Sequence, residues 1–175
     1  MSGIRWFKPR AAVLSGQTLF DGAVRQARSP AFYARLLAPD TVLGRFELYT
    51  LHVVLLAERL GGKGPEAKEV CQAMFDAYLV NLDIALREMG VGDLSVGKKM
   101  KKLGQAFYGR MKSWEAARDD PAAEAALILR TVYEGKEGVD PGPLARYLRT
   151  ARAALAEQAE ADIIRSGAAW PQVVR

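Results

Sequence analysis

Between Pro39 and the glycines at 61, 62 and 64, the chain holds about twenty residues of helical character that are apolar around most of their circumference. Val42, Leu43, Phe46, Leu48, Leu51, Val53, Val54, Leu55, Leu56 and Leu60 leave no broad polar face to turn toward water. A helix apolar all round is stable in water only when other elements surround it. This one is well short of the ~20 consecutive apolar residues of a membrane span, so the covering must come from the rest of the chain. Asp40 or Thr41 is placed to cap its start and Gly61 to end it. Its polar residues Arg45, His52 and Arg59 recur every seven positions, which puts them on one narrow stripe.

The remaining sequence supplies helices to surround it. Leu19, Phe20, Ala23, Val24 and Ala27 fall at helical spacing over 17–27, and Pro30 opens a short helix over 31–37. Pro65 starts a helix to about Met89, with Val70, Met74, Tyr78, Leu82, Ala85 and Met89 on one face. A turn of about four residues, bounded by Gly90 and Asp93 or Ser95, leads into a helix faced by Val96, Met100, Leu103, Phe107, Met111 and Trp114. So short a link predicts an antiparallel pair. Gly104 and Gly109 inside the second helix imply a close backbone approach or a bend. Helices over 122–133 and from Pro143 to about Arg165 follow, and no strand alternation or internal repeat is present. The expectation is an all-α, single-domain bundle of six or seven helices with a central buried helix. Its helical domain spans 16–166, between a flexible basic tail (1–15) and a loosely held tail (167–175).

Charge is unevenly placed. From Ser95 to Arg118 there are seven cations (Lys98, Lys99, Lys101, Lys102, Arg110, Lys112, Arg118) and one anion, Glu115, a net of +6 in a chain of net +5. The rest is therefore −1, and a basic patch on a neutral body suggests an anionic partner surface, either RNA or acidic lipid. A solvated face is the plainer explanation. Near the start, Arg5, Lys8 and Arg10 precede the first acid, Asp21, with Trp6 and Phe7 between them. This fits a frayed basic tail better than a transit sequence. Glu69, Asp76 and Asp83 form an acidic stripe in which Asp83 is set to pair with Arg87 four residues on.

Motifs for catalysis are weak. Gly92-Asp93-Leu94-Ser95-Val96-Gly97-Lys98 has the spacing of a phosphate loop, but a helix precedes it and Lys99 stands where Ser or Thr would hold magnesium. One histidine and one cysteine, Cys71, cannot make a zinc cluster, and no Glu lies three residues before His52 for a di-iron bundle. His52 reads as a satisfied core histidine and Cys71 as a small apolar filler. The single cysteine also excludes an intrachain disulfide. An enzyme using the Arg45/His52/Arg59 stripe remains as an alternative.

Several blocks carry a resemblance to a known family. They are Gly44-Arg45-Phe46-Glu47-Leu48, Leu51-His52, Arg59-Leu60, Phe75-Asp76, Asp83, Leu86 through Leu94, Val96 through Lys101, and Ala106-Phe107-Tyr108-Gly109-Arg110. Over about 36–114 the chain resembles the ubiquinol–cytochrome c chaperone family, assembly factors for the cytochrome bc1 complex. The Ala, Gly and Arg richness suggests a bacterial member. The resemblance implies a protein without catalysis, cofactor, metal or DNA contact. It implies newly made cytochrome b as client, a small partner assembly factor, and a ribosome or membrane association. The place implied is the cytoplasmic face of the inner membrane, or the mitochondrial matrix in a eukaryote. The residues expected to bind partners are Arg87, Glu88, Asp93, Lys98, Lys99, Lys101, Lys102, Tyr108 and Arg110. An RNA- or lipid-binding helical adaptor unrelated to bc1 assembly is the other class kept open.

Overall fold

The central helix takes the place its sequence requires. In the computed structural model, which describes residues 10–88, 105 and 107–174, helix α3 (Val42–Leu60) buries Leu48, Leu51, Val53–Leu56 and Leu60. Thr41 caps it, its side chain accepting a hydrogen bond from the Gly44 amide at 2.9 Å. Gly61 closes it with its own N–H on Ala57 O, and Gly62, at φ +72°, turns the chain where a side chain would be strained. Among the described residues four helices surround it: α1 (Arg10–Ala27), α4 (Pro65–Glu88), α5 (described over 107–117) and α7 (Gly142–Glu157). The shorter α2 (Pro30–Ala34), α6 (Pro121–Thr131) and α8 (Glu160–Ser166) complete the bundle. α1 packs on α4, α3 and α8, and α7 on α3 and α6. Among the described residues there is no strand, and no helix is long and apolar enough to cross a membrane.

The all-α bundle around a buried central helix is thus as expected, with three local corrections. The first helix begins at Arg10, inside the segment read as a flexible tail. Its extra turns are seated by Ala12 and Gly16, which are buried but too small to register as an apolar stripe. The long last helix is broken at Gln158 (φ −83°, ψ 135°), so α7 and α8 are separate. The C-terminal stretch is not a loose tail over its described part. Val173 is buried, and Trp170 packs edge-on to His52 with ring centroids 4.8 Å apart. At Gly109 a Cβ would meet nothing within 4 Å, so close backbone approach is not its role. Gly104 and the tight turn at 90–95 lie outside the described residues.

An aromatic cluster joins α1, α4 and α5. Tyr78 of α4 lies 6.4 Å from Phe20 of α1 and 4.8 Å from Phe107 of α5, centroid to centroid. Its hydroxyl shares a 3.2 Å hydrogen bond with Thr50 of α3, which satisfies two buried polar atoms at once.

Candidate functional site

The polar stripe does not converge. At ~1.5 Å per residue its members stand about 10 Å apart along α3, and each has its own surroundings. Arg45 is exposed and pairs with Asp40 at 2.5 Å. Arg59 donates to Leu155 O at 2.8 Å and Gln158 O at 2.7 Å, capping the end of α7. His52 is fully buried, with Nδ1 2.7 Å from Leu48 O and Nε2 2.8 Å from the Tyr147 hydroxyl. The carbonyl can only accept, so Nδ1 carries the proton and Nε2 accepts from Tyr147. Arg45 and Arg59 line separate surface clefts, and His52 is in the lining of neither. Cys71 is no better placed as a nucleophile, since burial, with Glu160 nearby, pushes its thiol up to about 11.

This environment makes His52 a source of acid sensitivity. Burial lowers its pKa to about 4, although the Leu48 carbonyl works the other way. The unfolded chain, titrating near the ordinary value of ~6.5, binds the proton first as pH falls. Stability from this residue is therefore complete above about pH 6.5, lost through the window down to about 4, and constant below. The loss is on the order of 3 kcal/mol, from ~1.4 kcal/mol per unit. Urea unfolding of the wild type and a His52→Gln variant from pH 7 to 4 should show this slope in the former and not the latter.

The residues expected to bind partners divide into three sets. Asp93, Lys98, Lys99, Lys101 and Lys102 lie outside the described residues. Arg87, Glu88 and Tyr108 are exposed, and Arg87 makes the anticipated pair with Asp83 at 2.7 Å. Tyr108 lies beside Phe75, at 5.4 Å between centroids, while Trp114 on the same helix is buried in the core. Arg110 turns inward. It bonds both carboxylate oxygens of Glu47, a residue only 4% exposed, and its guanidinium stands 5.8 Å over the Phe46 ring. Its first commitment is to packing α5 on α3.

The surface that sequence reading missed is apolar. A cleft of about 690 Å³ runs between the first turns of α3 and the last turns of α4. Val42, Leu43, Phe46, Leu82 and Ile84 form its apolar part, with Arg28 and Arg45 toward one helix and Glu88 on the other. Val42 is 68% exposed and Ile84 48%, and Val80 one turn before Ile84 is exposed as well. A second cleft of about 510 Å³ lies between the C-terminal half of α3, α4 and α5, lined by Met74, Phe75, Phe107, Tyr108 and Met111. Large aliphatic side chains grouped in this way are a mark of an interaction surface rather than of ordinary exposure. The sequence carried a signal for it. Val80 and Ile84 sit four apart, off the Met74–Tyr78–Leu82 face that packs inward. The all-round apolar α3 needs only part of its first turn for the core.

Comparison with known proteins now bears on this surface. The model of the ubiquinol–cytochrome c chaperone family matches residues 34–170. The chain belongs to this family. The match takes in the α3–α4 cleft, the Glu47–Arg110 pair, His52 and Trp170. Among solved structures, the crystal structure of the Cbp3 homolog from Brucella abortus superposes with a TM-score of 0.85 at 32% sequence identity, covering 94% of this chain and 92% of that one. No curated protein matches the sequence significantly. The family match thus extends well past the 36–114 region of resemblance, through α6, α7 and α8. It agrees with an assembly chaperone.

Proposed function

We propose that this ubiquinol–cytochrome c chaperone is a non-enzymatic assembly factor for the cytochrome bc1 complex. It holds an apolar segment of newly made cytochrome b in the cleft between α3 and α4. The observation that carries the reading is the grouping of Val42, Leu43 and Ile84, all substantially exposed, around that cleft. Fully covering one such side chain is worth about 1.5–3 kcal/mol, so a client segment laid across them gains several kcal/mol before ordering costs. The flanking Arg28, Arg45 and Glu88 suit the polar ends of such a segment. The lysines at 98, 99, 101 and 102 follow α4 in sequence and supply the +6 region. They bring the chaperone to an anionic surface, the ribosome or acidic lipid, on the cytoplasmic face of the inner membrane.

The cleft is tested with Leu43→Asp/Ile84→Asp. Both positions are exposed, so the melting temperature should stay within a few degrees. Crosslinking to cytochrome b in native membranes should fall at least tenfold. Undiminished crosslinking by the folded variant would remove the cleft from the client site. The lysines are tested separately by changing all four to glutamate and measuring co-sedimentation with ribosomes and with acidic vesicles. Loss from one fraction alone identifies the anionic partner, and loss from neither rejects the charge reading.

A further inference from the structure

The C-terminal stretch 168–174 lies as a strap across α1, α2, α3 and α7, on the side of α3 that carries His52. It leaves α8 through Gly167, whose φ of +88° favours glycine. Gln158, at the break between α7 and α8, brackets Ala169 with its side-chain amide: Nε2 donates to Ala169 O at 2.9 Å and Oε1 accepts from Ala169 N at 2.8 Å. Gln26 of α1 donates to Pro171 O at 3.1 Å, and Arg35, just after α2, to Val173 O at 3.5 Å. Among the described residues, every hydrogen bond from the body to the strap therefore ends on main-chain atoms. Side chains enter the body at Trp170 and Val173.

Main-chain hydrogen bonds read no sequence. They would serve any extended segment equally, while the pocket under the side chain sets preference. That pocket is aromatic. Phe32, His52 and Tyr147 meet at centroid distances of 4.8–5.7 Å, and Trp170 stands 4.8 Å from His52. The resident side chain is an imperfect tenant. Among the described residues Trp170 Nε1 is buried without a hydrogen-bond partner, and Nε2 of the neighbouring His52 is already taken by the Tyr147 hydroxyl. A buried donor left unpaired costs its desolvation without return. A ring without a donor would fit the same space without that loss.

We propose that this slot is a peptide-binding site, distinct from the α3–α4 cleft, with the chain's own strap as its displaceable occupant. The partner it takes is an extended protein segment that puts an aromatic side chain against His52 and its main chain in the Gln158 bracket. Binding such a segment and releasing the strap are one exchange.

The test uses a fluorescein-labelled peptide of residues 167–175 and the full chain. Trp170→Ala removes the strap's anchor and should bind the peptide at least tenfold more tightly than wild type does. A peptide with Phe in place of the Trp should bind more tightly still, and adding Gln158→Ala to the protein should abolish binding. Leu43→Asp/Ile84→Asp should leave it unchanged, which separates this site from the client cleft. A folded Trp170→Ala protein that takes up no peptide overturns the proposal. Should that variant not fold, hydrogen exchange on the wild type decides. The Ala169 amide should exchange at least 100-fold faster than the Leu148 amide of α7. Equal rates would mean that the strap opens only with the whole molecule, and the proposal fails.

Discussion

Arg110→Ala is expected to cost about 3–5 kcal/mol of folding stability, the range for removing one partner of a buried ion pair. The reason lies with the residue left behind. Glu47 sits on the central helix, 4% exposed, and both of its oxygens are held by Arg110. Without the guanidinium the carboxylate is left without its partner in a poorly solvated place, beside Phe46 and the Tyr78 cluster. The reverse truncation should be milder. The Arg110 side chain retains 26% of its surface, so in Glu47→Gln it can turn toward water. Arg110→Lys should fall between, since one ammonium cannot bond two oxygens in a fork. A Glu47→Leu/Arg110→Met pair should recover most of the loss, because replacing both partners removes the unpaired charge. Urea unfolding of the four variants checks the order. A loss under 1 kcal/mol in Arg110→Ala would place the pair with ordinary surface salt bridges.

That pair also shows where sequence reading stopped. Arg110 belongs to a window of +6, and nothing in the window distinguishes a cation with a buried partner from one facing a ligand. The clue was Glu47, the one carboxylate among residues 42–57 of a largely apolar helix, which calls for an inward-facing cation. Elements with strong periodicity were legible. Val70, Met74, Tyr78 and Leu82 are buried along α4, as are Phe107 and Trp114 on α5 and Leu144, Tyr147, Leu148, Ala151 and Leu155 on α7. The satisfied core histidine at 52 and the Asp83–Arg87 pair were also foreseeable, since each follows from spacing and composition alone. The break at Gln158 was not. It depends on a side chain reaching Ala169 eleven residues on. The apolar cleft escaped for a related reason, because an apolar residue is assigned to the core until neighbours are known to leave it bare. The lysines carry the charge argument wholly from sequence.

Gly16→Ala should be costly and Gly22→Ala, in the same helix, should be beneficial. Alanine is favoured over glycine in a helix interior by ~1 kcal/mol, so propensity alone predicts a gain at both. Space reverses the sign at one of them. A Cβ on Gly16 would stand 2.6 Å from Ala73 Cβ, 2.6 Å from Met74 N and 2.7 Å from Ala73 C, whereas one on Gly22 would meet nothing within 4 Å. Two of the three obstacles are main chain of α4, which cannot rotate aside, so α1 and α4 must separate. Overpacking of this kind costs ~1–3 kcal/mol and occasionally more; Gly16→Ala should lie at about 3, and Gly16→Val beyond it. At roughly 2–4 °C per kcal/mol for a domain of this size, thermal unfolding should show a drop of about 6–12 °C for Gly16→Ala and a small rise for Gly22→Ala. Adding Ala73→Gly separates the two kinds of obstacle. It removes the Cβ contact and leaves both main-chain contacts, so rescue should be partial at most. Full rescue would mean that α1 rests on a side chain, and a neutral Gly16→Ala would mean that the two helices slide. In either case the crossing would not hold α4 firmly, and the cleft formed by its last turns would lose the rigid wall that a client segment needs.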